Sequence, residues 1–342
     1  MRICHVNLAG GFSGGERQTV NLIRELAGRQ HQQTLVARPG SRLFDELAGL
    51  PGLEFRSCKH FLLGHTAGAW DLIHCHDGKA AYWAYLERRL RKTPYLITRR
   101  VDNPLGKGRF TRAAYTAASR VVCLSNAIAQ SVLARVASAT IAVIPSSFSG
   151  FEAVPADVSA IRQRFAGKRL VGQVGRLLEH KGYQVTIAAA QQLAANYPDV
   201  MFVFLGEGPD EDWLKQQAGN ACNVCFVGHQ NNVGSWLAAL EVFVFPSLHE
   251  GLGSTVLDAM QHGVPVIGAR AGGIPDMIEQ EKTGLLVAPG DAPDLARAIA
   301  GLLDSQPRRE ALSDNATAQL EAFSPSTIAG RYQDLYTAVC TA

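Results

Sequence analysis

The stretch 242-VFVFPSLHEGLGSTVLDAMQHGVPVIGAR-270 carries two short apolar segments with a helical one between them. VFVFPS is short, β-branched and aromatic, and reads as a buried strand. STVLDAMQHG reads as a helix, with Ser254 or Thr255 as its N-cap and Gly263 and Pro265 as its stop. PVIGAR is the next strand. A strand, a helix and a strand in this order make the repeating unit of a parallel α/β sheet. The joining loop is chemically unusual. Gly251 and Gly253 leave backbone amides bare at the helix start, suited to phosphate or sugar oxygens. Glu250 sits on that loop, and Asp258, about one turn in, can turn toward the same pocket.

The alternation extends in both directions. The second half reads as strands RLVGQVGRL, VMFVFLGEG, NVCFVGH, VFVFPS, PVIGAR and GLLVAPGD. Helices fall between them, and further helices are expected near 292–304, 308–322 and 325–339. The first half holds RICHVNL, QTLVAR, EFRSC, LIHCH, YLITRR, VVCLS and IAVIPS. Its longest helical segment, ERQTVNLIRELAGR, sets Val20, Ile23, Leu26 and Ala27 on one face. Residues 146–160, SSFSGFEAVPADVSA, are rich in Ser, Pro and Gly and read as an interdomain linker. The 342 residues are long for one core. The fold expected is α/β, two Rossmann-like doubly wound domains facing across a cleft. Their expected extents are 1–150 and 151–324, with a C-terminal helix at 325–342 crossing back to the first domain.

Composition narrows the class. With 47% hydrophobic and 18% charged residues the chain reads as globular. No window nears the ~18 apolar residues of a membrane span, and the N-terminus lacks a signal-peptide core, so the expected location is cytoplasmic. Cysteines 4, 58, 75, 123, 222, 225 and 340 form no disulfide framework and suit a reducing compartment. Cys222 and Cys225 make a lone C-x-x-C running into a strand, and read as core thiols. Residues 1–160 carry 20 Lys/Arg against 11 Asp/Glu, whereas residues 161–342 carry 13 against 19. The first half is thus expected to meet something anionic. Nine basic residues and one acid, Asp102, lie between Arg88 and Arg112; a solvated helix face accounts for part of that cluster.

Two further loops suit phosphate. In NLAGGFSGGERQT, Gly10, Gly11, Gly14 and Gly15 precede a helix, so amides can approach an anion at its positive end. A dinucleotide site would want an acid at the end of the next strand; LVARPG offers Arg38 and Pro39 instead. In GRLLEHKG, Arg176 ends a strand and Lys181 opens a helix, a pair suited to a diphosphate. Of the two acids, one can hold a sugar ring and the other a ribose, with the diphosphate on the amides between. A sugar nucleotide has these parts in this order.

The run FVFPSLHEGLGSTVLDAMQHGVPVIGARAGGIPDMIEQEKTGLLVAPGD is similar to the signature of the retaining sugar-nucleotide glycosyltransferases of GT-B fold, the group with a Glu-x7-Glu motif. GRLLEHKG, LGEGPD, FVGHQNNV, GGFSGGER and DLIHCHDGKAA resemble that family's landmarks in the right order. The resemblance implies that Glu250 contacts the donor sugar, and that the amides of Gly251, Leu252 and Gly253 meet its oxygens and phosphates. Arg176 and Lys181 then bind the diphosphate in place of a metal. Gly228 and His229 meet the base, Gly14 and Gly15 close over phosphate, and His76 sits beside the donor sugar. The chain departs from the motif at Asp258, one methylene shorter than the usual Glu. It also lacks the usual Asn and Gly after the seventh strand, in VIPSSFSG. Retention by a front-face mechanism is implied, with no residue assignable as general base.

The stretch ITRRVDNPLGKGRFTR places Arg99, Arg100, Lys107 and Arg109 where an anionic or phosphorylated glycan or glycolipid would lie. RRVD resembles transferases that build lipopolysaccharide core. The expected partners are a nucleotide-sugar donor, with UDP-hexose favoured, and an envelope glycan acceptor met peripherally at the inner membrane face. No cofactor and no metal are expected. His74 and His76 share a strand face, but the sequence shows no third ligand near them. Two alternatives remain: a sugar-nucleotide epimerase on the same fold, and a non-catalytic anion- or nucleic-acid-binding protein. The basic cluster lacks the interleaved aromatics of a base-stacking surface, so no nucleic acid is expected.

Overall fold

The computed structural model describes residues 1–65 and 68–341. The chain divides into two compact units, Met1–Ser147 with Phe323–Ala342, and Phe148–Ala322. Each is built on its own all-parallel sheet.

In the first unit β1 (Arg2–Asn7), β2 (Gln32–Ala37), β3 (Leu53–Ser57), β4 (Leu72–Cys75), β5 (Tyr95–Arg99), β6 (Arg120–Cys123) and β7 (Ile141–Val143) pair in the order 3-2-1-4-5-6-7. Its helices are α1 (Gly14–Ala27), α2 (Arg42–Glu46), α3 (Gly78–Arg91), α4 (Arg109–Ala117) and α5 (Asn126–Leu133). The second unit holds α6 (Pro155–Arg164), α7 (Tyr183–Leu193), α8 (Glu211–Ala218), α9 (Val233–Ala239), α10 (Thr255–Gln261), α11 (Ala292–Leu303) and α12 (Gln306–Gln319). Its strands are β8 (Arg169–Val174), β9 (Val200–Leu205), β10 (Val224–Gly228), β11 (Val242–Phe245), β12 (Val266–Ala269) and β13 (Leu285–Val287), in the order 10-9-8-11-12-13. The chain ends in α13 (Pro325–Thr341).

Both orders reverse direction once, between β1 and β4 and between β8 and β11. At such a switch point the loops leaving the two strands diverge, and a crevice opens beyond their carboxyl ends. The central strands are buried on both faces, β11 from Val242 to Phe245 throughout, as the continuous apolar runs require. α13 packs Ile328, Ala329, Tyr332, Tyr336 and Val339 into the core of the first unit, against Ile3, Leu22 and Leu26.

Two expectations fail. The linker read over 146–160 is helical from Pro155 onward. The proline taken as a breaker occupies the first helical turn, where its missing N–H costs nothing and its fixed φ helps. Cys222 is exposed and Cys225 only half-buried, so they are not core thiols. The reason is that β10 is an edge strand, half-buried along its whole length.

Candidate active site

In the second unit the loops leaving β8 and β11 meet at the switch point. Leu248 N–H donates to the His180 carbonyl at 2.8 Å, tying one loop to the other. Gly182 makes this approach feasible: its φ is +76°, and a Cβ there would stand 2.0 Å from the Pro246 carbonyl oxygen. Lys181, one residue earlier, therefore reaches Glu250, with Nζ 2.5 Å from Oε2. The ammonium also lies 5.7 Å from the centre of the Phe245 ring. Glu250 is held from behind as well. Its carbonyl accepts from Gly273 N–H at 3.0 Å, and a Cβ on Gly272 would stand 1.8 Å from that same oxygen at a φ of +53°. Arg176 follows β8 and is exposed, and among the described residues its fork makes no ion pair.

Leu252 is buried beneath this loop, and Gly253 has a φ of +86°. Ser254 precedes α10 as its N-cap. Gly228 ends β10 at a φ of +72°, and its carbonyl accepts from Gly206 N–H at 2.9 Å. His229 follows it, exposed. Asp258 is buried in α10, and both its oxygens face Ser149, Oδ1 accepting from the backbone N–H at 2.5 Å and Oδ2 from the hydroxyl at 3.2 Å. The acid read for ribose is thus engaged by the segment leading into the second unit. Ser149 stands in the stretch whose departure from the family pattern was apparent in the sequence.

The first unit's switch point is built differently. β1 and β4 pair in parallel with His5 opposite His74. Side chains two apart share a strand face, so His76 joins them. The rings of His74 and His76 are 4.0 Å apart between centroids, and His5 stacks on His76 at 5.3 Å. A third imidazole therefore does stand beside His74 and His76, contrary to the expectation from sequence, because strand pairing brings in a residue 69 positions away. One nitrogen from each of the three rings lies within 4.8 Å of the others.

Every ring nitrogen of the three already has a polar neighbour. His5 Nε2 lies 3.0 Å from Gln33 Oε1, and His5 Nδ1 lies 3.1 Å from His76 Nε2. His76 Nδ1 lies 3.5 Å from an Arg100 terminal nitrogen. His74 meets the Tyr336 hydroxyl at 2.6 Å and Thr98 Oγ1 at 2.7 Å. Burial pushes the His5 pKa down to about 3, against a smaller upward pull from its bond to Gln33. Burial also holds His74 and His76 well below the ordinary histidine range, helped by their neighbouring imidazoles and Arg100. All three are neutral at pH 7.

Around them the glycine loop folds over Arg100. Glu16 reaches back to the Ser13 N–H at 2.9 Å and its hydroxyl at 2.7 Å, fixing the start of α1. A Cβ on Gly15 would come within 3.3 Å of Arg100 Cδ. Arg100 Nε is buried without a hydrogen-bond partner among the described residues. Asp77, next to His76, caps α3 through Lys79 N–H at 2.7 Å and Ala80 N–H at 3.2 Å, and also accepts from Leu8 N–H. One carboxylate thus ties together the loops after β1 and β4.

The four basic residues read for an acceptor separate. Arg100 joins His76 and Gly15; Arg99 turns back to Asn103 Oδ1 at 2.7 Å. Arg109 lines a groove between α3 and α4 with Arg88, Arg89, Lys92 and Arg112, and Lys107 is exposed in the loop before it. Sequence reasoning missed His5, Gln33, Glu16 and Asp77. The one usable signal was a histidine at the same depth in two strands that pair only across the switch point.

Comparison with known proteins agrees with this architecture. Residues 157–319 match the family Glycosyl transferases group 1, and residues 12–147 match Glycosyltransferase Family 4. The chain is 30% identical to a 2-deoxystreptamine glucosyltransferase of Streptomyces kanamyceticus, over 81% of each chain. It is 29% identical to the lipopolysaccharide core biosynthesis glycosyltransferase LpsE of Rhizobium meliloti, over 98% of each. Its fold matches that of Anabaena HepE, solved with UDP and glucose, at a TM-score of 0.83 and 22% identity, covering 99% of this chain and 100% of that one. Two Rossmann-like parallel-sheet units of this kind define the GT-B class. The chain belongs to the group 1 glycosyltransferases and is a glycosyltransferase.

Proposed function

We propose that the protein is a retaining, metal-independent hexosyltransferase that takes a UDP-sugar and glycosylates an envelope glycan of the lipopolysaccharide-core type. The observation that carries the donor half is the Lys181–Glu250 pair at the switch point of the second unit, beside exposed Arg176. Breaking a sugar–phosphate bond leaves negative charge on the departing diphosphate. Two cations of one loop, Lys181 held by Glu250 and exposed Arg176, stabilise that charge without a metal. Glu250 then accepts from sugar hydroxyls, and the Gly251–Gly253 amides meet the phosphates. Asp258, spent on Ser149, contributes to the ribose only through the loop it steadies. Metal independence is supported further by the histidine cluster, whose nitrogens are all engaged, one of them facing the Arg100 guanidinium.

The acceptor half draws on the relatives that build lipopolysaccharide core and on the charge of the first unit. The groove of Arg88, Arg89, Lys92, Arg109 and Arg112 adjoins exposed Leu90 and Phe110. Cations beside apolar side chains suit an anionic lipid surface, at about 1 kcal/mol per basic residue. Among the described residues no helix is long and apolar enough to cross a membrane, so the proposed contact is peripheral.

The test is a product assay with UDP-glucose, UDP-galactose and UDP-N-acetylglucosamine against truncated core oligosaccharide, with and without EDTA. Transfer with an α-linkage from an α-linked donor, unchanged by EDTA, is the expected result. A β-linked product or loss with EDTA overturns retention or metal independence respectively. Replacing Arg99 and Arg100 with Ala should cripple transfer to a phosphorylated acceptor and spare donor hydrolysis; equal loss of both removes the acceptor role.

A further inference from the structure

We infer that Gln33, His5 and His76 form a one-directional hydrogen-bond relay that holds Arg100 in place as the anion-facing group of the first unit. The inference rests on the reading of this crevice as a substrate site, and gives His76 a positioning role toward Arg100.

The direction follows link by link from groups that can only give or only accept. Gln33 Nε2 lies 3.0 Å from the Ile23 backbone carbonyl, which only accepts, so the amide nitrogen must face it. Gln33 Oε1 therefore faces His5, and His5 Nε2 must carry a proton. A neutral imidazole bears one N–H, so His5 Nδ1 is bare. His76 Nε2, 3.1 Å away, must then donate to it, which leaves His76 Nδ1 bare. That lone pair faces the Arg100 guanidinium, which only donates. The chain closes with no conflict. Donation runs from Arg100 through His76, His5 and Gln33 to Ile23, with an obligate donor at one end and an obligate acceptor at the other.

Burial makes the order strict. His5 is 0% exposed, His76 3% and Gln33 2%, so no water can replace a wrongly pointed N–H. In the opposite tautomer His76 would set an N–H against the guanidinium and displace it. Arg100, held by its terminal nitrogen, keeps a buried Nε–H that no group among the described residues satisfies. It lines a recess with Gln18, Ser146, Ser147 and Tyr332. A guanidinium with an unspent donor and no carboxylate bonded to it is matched by an anionic oxygen of a substrate.

The tautomers are readable without substrate, from long-range 15N–1H spectra of histidine-labelled full-length protein at pH 7. His5 and His76 should both be neutral with the proton on Nε2. A proton on His76 Nδ1, or a charged His76, overturns the relay. Kinetics test its purpose. His5→Leu should raise KM for a phosphorylated acceptor roughly tenfold with little change in kcat. His5→Asn, whose amide oxygen can take the place of Nδ1, should restore both the tautomer and KM. Equal loss in both variants, or a kcat loss with KM unchanged, refutes positioning of Arg100. Should His5→Leu fail to fold, the wild-type tautomers still decide. Absence of transfer by the wild-type protein would sink the proposed function, whereas the tautomers would stand or fall on their own.

Discussion

The two crevices occupy equivalent places in two similar sheets and are made of opposite materials. In the second unit the chemistry stands on loops: Arg176, Lys181 and Glu250 are charged, close in sequence to glycines, and reach solvent. In the first unit it stands on strands and the residues just beyond them: His5, His74 and His76 are neutral and buried, and Arg100 is the cation set against them. A loop that carries charge to a ligand must be braced by close backbone approach, hence Gly182 and Gly272. A buried polar cluster is braced by mutual satisfaction, because each unpaired group would cost about 1–3 kcal/mol. The first kind of site tolerates changes in neighbouring strands; the second does not.

The sharpest test of this contrast is Glu250→Gln, which keeps the shape and removes the charge. Activity should fall roughly 10²–10³-fold, about 2.7–4 kcal/mol of transition-state stabilisation, while the melting temperature holds. A large loss of stability would mean that Glu250 is structural.

Acid should break the first unit before the second. His5 is held neutral down to about pH 3 in the fold, while the unfolded residue titrates near 6.5. His74 and His76 shift in the same direction. For such groups the unfolded state binds more protons between the two pKa values, so stability is complete above pH 6.5 and is lost as pH falls below it. Each should cost about 1.4 kcal/mol per pH unit well below that point. Hydrogen exchange at pH 5 should show protection failing first in β1 and β4; simultaneous failure of both sheets would contradict the account.

Gly272→Ala should cost roughly 1–3 kcal/mol in denaturant unfolding, through its left-handed backbone and the clash with the Glu250 carbonyl. It should lower activity as well, since the same carbonyl anchors the Glu250 loop. Asp77→Ala should cost about 1 kcal/mol by unbinding the start of α3, and leave donor binding to the second unit unchanged by calorimetry. Weaker donor binding there would show that the two crevices are not independently braced.

What could be read from the chain alone follows the same division. The strands of both sheets and the loop positions of Lys181 and Glu250 were legible, because runs such as VFVFPSLHEGLG keep the strand, the glycine turn and the charge contiguous. Asp258 could be found but not aimed, since its partner Ser149 lies 109 residues away. The histidine relay was illegible beyond His74 and His76. His5, Gln33 and Arg100 come from β1, β2 and the end of β5, and only the pairing order brings them together. The helix beginning at Pro155 was misread because proline signals a break and a first turn with the same letter.

Tyr332 and Tyr336 lie on α13, yet they complete the polar pocket around Thr98 and His74 in the first unit. During synthesis every residue of the second unit leaves the ribosome before these two tyrosines do. The pocket around His74 can therefore be completed only after the whole of the second unit has been made, whatever the first sheet does before then.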